Sequence, residues 1–404
     1  MAQSSLITTT SVVKRYLIYF GIFAVVVIVL QVCINFIGGL ATSRTTTPNN
    51  YAYTDPDYSF GTLTLPAISG ISISATPKAT YSADNILPQY PYATVNVYKV
   101  NEPREIFGSE DIGNDLATRF GFKTNFTRDG NKLVWNENNR KLIYDKVNET
   151  ISFSNPGIVP DVVDKFNADP AYYQQQAAAL IANLNLARSN LDLKNIEIEY
   201  LERANNSFII AKSPNTAQYL KIKVHRTFDA VSAKADAQGN PLVTGATNIA
   251  ATSYVNDILS SALTIIAVNN QAQSLSPDVL ESVNFTDWEF NPVPGVYNLL
   301  TADQAWANIK NNQGSLKQLI EFGYNPYLVG QLNGQQVISF TANYQKVTLA
   351  YLEPDKWTGY IYPIYIFYGH ARLANSPSVD NADFIYYTYA LDPKVPAAVN
   401  PPGK

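Results

Sequence analysis

The sequence predicts an α+β protein: an N-terminal transmembrane helix followed by an exported domain of two lobes, with antiparallel sheets and a few capped helices. Three observations carry that expectation. A 25-residue run near the N-terminus holds no charged side chain. Beyond it, the order strand, capped helix, meander of short alternating runs occurs about twice. Finally, only 15% of the 404 residues are charged, against about 25% in an average soluble protein, and 39 asparagines supply much of the polar surface instead.

The balance of 29 Lys+Arg against 33 Asp+Glu gives a net charge of -4, which argues against a nucleic-acid binder steered by a basic face. One cysteine and two histidines exclude a Cys/His zinc cluster, a disulfide framework and a Cys-His catalytic pair in the exported part. No metal or cofactor is expected.

Taken in order, residues 1–15 form a cytoplasmic N-terminus and residues 16–40 a signal-anchor helix, since about 20 apolar residues span a bilayer core. A cleavable signal peptide would have a shorter apolar region of about 7 to 15 residues. Lys14 and Arg15 abut the inner end, which places the N-terminus inside and everything after Ala41 outside. Tyr16, Tyr19 and Phe20 fall at the inner headgroups, and Phe36 joins them as an anchoring aromatic toward the outer end. Residues 41–92 have a proline every 8 to 11 positions, from Pro48 to Pro88, so no helix survives there. This segment reads as a Pro/Thr/Ser-rich stalk that partly packs on the domain.

The first lobe is expected over residues 93–230. Thr94 to Val100 alternates as a strand, and a helix follows with Ser109 as N-cap, Ile112, Leu116, Ala117 and Phe120 as its apolar stripe, and Gly121 as its stop. Two hairpins come next, one folded at Asp129-Gly130, the other pairing Lys141–Tyr144 with Thr150–Phe153. Asp169-Pro170 opens the longest helix, to about Ser189. Strands resume at Ile196–Leu201, Ser207–Ala211 and Gln218–Arg226. The second lobe, residues 231–392, opens near the turn at Asp236–Pro241. It has a helix capped by Thr301 with Gln304, then aromatic strands at Val337–Leu352, Gly359–Phe367 and Phe384–Leu391. A Pro-rich tail covers 393–404.

Gly295-Val296-Tyr297, Ala305-Trp306, Thr348-Leu349-Ala350-Tyr351 and the run Tyr360 to Gly369 together span about 75 residues. In these the second half resembles the extracytoplasmic domains of the YycH/YycI type, regulators of a cell-wall-sensing kinase in single-pass bacterial membrane proteins. The resemblance implies a regulatory or protein-binding role without catalysis. The long stalk and the asparagine-rich surface depart from that pattern.

Candidate chemistry is sparse. His225 precedes Asp229 by four residues, His370 ends the aromatic strand, and Asp55-Pro56-Asp57 mimics a metal-holding pair within the stalk. Glu197 and Glu199 share one strand face and suit a two-carboxylate glycan hydrolase or a wet sheet surface. Strings for a nucleophile elbow, a zinc helix or a phosphate loop are absent. Four Asn-x-Ser/Thr sequons, at Asn125, Asn148, Asn205 and Asn284, are what so many Asn, Ser and Thr produce by chance. Both faces of the run Tyr360 to Tyr368 are apolar, which suits a buried central strand, yet Pro363 cannot donate to a ladder and shifts it toward an edge or a bulge. An aromatic edge of Tyr360, Tyr362, Tyr365, Phe367, Tyr368 and His370 is then the expected partner-binding surface. The functional expectation is an envelope protein, held in the lipid bilayer by one helix, whose exported domain binds another envelope protein without catalysis. A glycan hydrolase and a surface-structural or adhesive protein are the alternatives.

Overall fold

In the computed structural model the described residues are 52–73, 78–160, 166–204, 207–256, 259–269, 274–322, 336–354, 356–376 and 379–395. The expected anchor, with Tyr16, Tyr19, Phe20 and Phe36, and residues 396–404 of the expected tail lie outside them. Among the described residues no helix is long and apolar enough to cross a membrane.

The chain begins with strands β1 (Thr80–Ala83) and β2 (Thr94–Lys99), helix α1 (Ser109–Arg119), and strands β3 (Thr127–Asp129), β4 (Lys132–Glu137), β5 (Arg140–Asp145) and β6 (Thr150–Ser154). Helix α2 (Pro170–Asn183) leads to β7 (Glu197–Ala204), β8 (Ser207–Ile210), β9 (Tyr219–Val224), β10 (Thr227–Val231), β11 (Ile249–Val255), β12 (Leu263–Val268), β13 (Leu280–Thr286) and β14 (Gly295–Asn298). Helix α3 (Ala302–Lys310) precedes β15 (Ser315–Glu321), β16 (Val337–Ala342), β17 (Thr348–Glu353), β18 (Tyr360–Leu373) and β19 (Ala382–Tyr389).

The architecture is mixed α+β, built on two sheets within one compact unit. The nine-stranded sheet has the order β3-β4-β5-β6-β13-β12-β9-β7-β8 and is antiparallel throughout. Its inward row, including Trp135, Leu142, Phe153, Val283, Ile265 and Ile222, meets Leu116, Ala117 and Phe120 of α1 and Tyr173, Ala177, Leu180 and Ile181 of α2 in a single core. Both helices thus bury an apolar stripe against the period-two face of one sheet.

The second sheet has ten strands and branches at β18, which is 14 residues long. One edge of β18 pairs with β17 and then β16, while the other pairs with β2 and then β19. Two of this sheet's pairs, β1 with β16 and β11 with β17, are parallel, which corrects the expectation of purely antiparallel sheets.

Lobe boundaries differ from the sequence reading as well. The division expected between residues 230 and 231 falls inside β10, and the two sheets interleave along the chain: β3–β9 and β12–β13 build the nine-stranded sheet, while β10–β11 between them belong to the ten-stranded one. Periodicity locates strands but says nothing of their partners. The supposed stalk is largely part of the domain. Tyr58 and Leu63 are buried with Val95, Tyr297 and Tyr362, and β1 adds a strand to β16.

The local signals did better. Asp169 caps α2 by accepting from the Ala171 amide, and Thr301 and Gln304 form a reciprocal capping box on α3. Helix α1 departs from expectation: Gly108, in the left-handed region at φ 77°, is its N-cap, Ser109 is the first helical residue, and Ile112 is exposed. Helix α2 ends at Asn183, short of Ser189, because Asn185 turns left-handed at φ 58°.

Candidate functional site

The aromatic strand β18 is central, so the expected binding edge does not exist there. Tyr362, Tyr365 and Phe367 are buried, Tyr360 and Tyr368 are half-buried, and His370 is exposed. The hydroxyls of Tyr362 and Tyr365 donate to the carbonyls of Thr64 and Leu300 at 3.1 and 2.9 Å, fixing both rings in the interior. Pro363 is tolerated because its carbonyl, which accepts from Ala390, faces the edge where β2 hands over to β19. The N–H that Pro363 lacks would face the Ala390 carbonyl on that edge, and this carbonyl accepts from the Leu300 amide at 2.8 Å instead, so it is not left unpaired.

The remaining sequence candidates have ordinary partners. His370 Nδ1 lies 2.8 Å from Asp383 Oδ1 on the open surface. Asp57 Oδ1 accepts from the amides of Ser59 and Val296, and Asp55 pairs with Lys234, so Asp55 and Asp57 hold a turn. His225 does not meet Asp229: its Nδ1 is 3.0 Å from the Ser253 carbonyl, and its Nε2 is 3.5 Å from Glu197 Oε1. Lys223 Nζ sits between Glu197 and Glu199, at 2.7 and 2.9 Å. The neighbouring His225 and then Lys223 hold the Glu197 carboxyl down to about 2, against the opposing effect of burial. Such a group has no proton to give a leaving group near neutral pH, so this cross-strand ladder suits sheet pairing better than acid catalysis.

A cleft of about 610 Å³ opens elsewhere, between the ends of the two sheets. Tyr98 of β2 and Phe228 of β10 form part of its floor, their rings 5.0 Å apart, and Phe290 stands edge-on to Phe228 at 5.0 Å. Trp288 adds a further apolar wall. Four carboxylates line it: Glu149 from the β5–β6 turn, Asp229 from β10, and Asp287 and Glu289 from the segment after β13. Arg188 pairs with Asp287. Asp229 accepts from Asn248, and Glu289 from Asn101, both at 2.7 Å, so these two have neutral partners. The amide of Asp287 donates to the Glu149 carbonyl at 3.0 Å, continuing the β6–β13 pairing into the cleft wall.

Glu149 is unusual twice over. Its φ of 51° lies in the left-handed region, where a turn normally places Gly or Asn. Burial, with Asp287 and Glu289 nearby, pushes its carboxyl up to about 6 despite the opposing Arg188. Between its ordinary value of 4.5 and 6 the folded state holds a proton that the unfolded state releases. Stability therefore falls as pH rises through that window, and the ionised side chain is a net cost above it. Glu149→Gln is expected to stabilise the full chain at pH 7 by about 1 kcal/mol, after allowing for solvent screening of this half-exposed group, and to change nothing at pH 4. Urea unfolding at the two pH values checks this; an equal effect at both would remove the electrostatic cause.

The cleft residues come from six separate segments, and none was singled out from the sequence for this site. The one local signal was a glutamate in the last place of a four-residue turn, Lys146 to Glu149, between two strands.

No family model matches the chain, and no curated protein matches it. Among solved structures it is similar to one described as an uncharacterized protein from Eubacterium rectale, at 10% identity, covering 80% of this chain and 92% of that one. The TM-score is 0.33, too low to bear on either fold or function.

Proposed function

We propose that the chain is a signal-anchored envelope protein whose exported domain binds another envelope protein, without catalysis, in a regulatory role like that of the YycH/YycI-type domains. The anchor part of this reading rests on the uncharged run of residues 16–40 and the flanking Lys14 and Arg15. The observation that carries the binding part is the cleft between the sheets together with its rim. Phe107, next in the chain to the lining residue Ile106, is fully exposed, and Val293, next to the lining residue Pro292, is largely so. Large apolar side chains exposed on the segments that line an aromatic-walled cleft are what a protein partner covers.

Photo-crosslinking in the native membrane tests the reading. A benzophenone side chain at position 107 or 293 is expected to capture the same envelope protein. The same group at the exposed Ile210 or Val379, on other elements, is expected not to. Adducts of equal yield from all four positions, or from none, would remove the binding proposal.

A further inference from the structure

We infer that the cleft recognises cationic side chains, lysine ammonium or arginine guanidinium, on an extended basic segment of its protein partner. The inference rests on the binding reading above and specifies its ligand chemistry. It starts from charge: four carboxylates line the cleft, and Arg188 pairs with one of them. Among the described residues, Glu149, Asp229 and Glu289 have no Lys or Arg paired to them. The adjoining small hollow adds Glu102 and Arg104, which offset one another and leave the excess negative charge in place.

The shape of the charge selects the kind of cation. Among the described residues no three acidic, His or Cys side chains form a group that could hold a metal ion, and the four carboxylates enter the cleft from three separate segments, the β5–β6 turn, β10 and the chain after β13. Spread carboxylates suit several charges carried on one chain. The aromatic floor supplies the other half of the fit. Lysine and arginine have long apolar stems beneath a charged head, and Phe228, Phe290 and Trp288 in the cleft lining offer an apolar surface for the stem, while the carboxylates meet the head. A neutral apolar segment would leave three carboxylates desolvated without compensation, which is costly. An acidic segment would be repelled.

Fluorine NMR of the full chain in mild detergent, labelled with 5-fluorotryptophan, tests this. The chain has 4 tryptophans, and a Trp288→Phe variant identifies the cleft signal. The probes are a capped peptide of alternating Lys and Ala with three lysines, and the same peptide with every lysine acetylated. The lysine peptide is expected to shift the Trp288 signal saturably, leaving the other three in place, and the acetylated peptide is expected not to. Glu149→Gln, checked to unfold at or above the parent's urea midpoint, is expected to weaken the lysine peptide by about ten-fold. A Trp288 signal unmoved by the lysine peptide, moved equally by the acetylated one, or unaffected in its titration by Glu149→Gln overturns the inference. If positions 107 and 293 still capture a partner in that case, the binding reading stands and only the ligand class falls. If capture fails as well, both fall.

Discussion

Replacing Arg226 with alanine is expected to destabilise the protein by about 3 to 5 kcal/mol, the range for removing one partner of a buried ion pair. Arg226 is 0% exposed and Glu353 1%. The arginine donates to the Glu353 carboxylate and to the Thr286 carbonyl, and the Ser253 hydroxyl donates to the same carboxylate. The guanidinium also lies over the Phe290 ring at 5.3 Å. Its position makes this cluster more than a local contact: Arg226 stands between β9 of one sheet and β10 of the other, and Glu353 ends β17. Without the arginine, Glu353 remains a buried carboxylate with only a hydroxyl to satisfy it. The double replacement Arg226→Met with Glu353→Leu removes both charges and is expected to recover most of the loss. Urea unfolding at pH 7 reads both variants. A loss below about 1 kcal/mol for Arg226→Ala, the size of a surface pair, would mean that the two sheets do not close around it.

That cluster also marks where sequence reading stopped. Helix caps are local chemistry, so Asp169-Pro170 and the Thr301/Gln304 box were legible from a few residues each. Hairpins are nearly as local, and Leu142 does face Phe153. Sheet membership is not local. The β10–β11 hairpin leaves the nine-stranded sheet after two residues, His225 and Arg226, and joins β17 across about 100 positions of sequence, something no period-two pattern encodes. The cleft was illegible for the same reason. Phe228 and Trp288 look like ordinary strand and loop residues until both sheets bring them to one wall. Glu149 was a partial exception, since a glutamate closing a four-residue turn between two strands is visible in the sequence, whereas its left-handed φ is not.

Phe367→Ala is expected to cost about 3 to 5 kcal/mol, as large aromatic truncations in packed cores do. Phe367 is fully buried, 5.1 Å from the Trp306 ring of α3 and 6.1 Å from Tyr365, on the strand that joins both branches of the ten-stranded sheet. The cavity left there cannot collapse easily, because β18 is held by partners on both edges. Phe107→Ala is expected to stay within about 0.5 kcal/mol of the parent, since that ring is fully exposed. The two substitutions separate fold from function. A partner lost on changing Tyr362, Tyr365 or Phe367 reports a weakened core, whereas a partner lost on changing Phe107 at unaltered stability reports a broken contact. Urea midpoints and crosslinking yields, measured on the same preparations, distinguish these. If Phe367→Ala unfolded at the parent's midpoint, the central placement of β18 would be wrong, and the aromatic strand would again be a surface available to a partner.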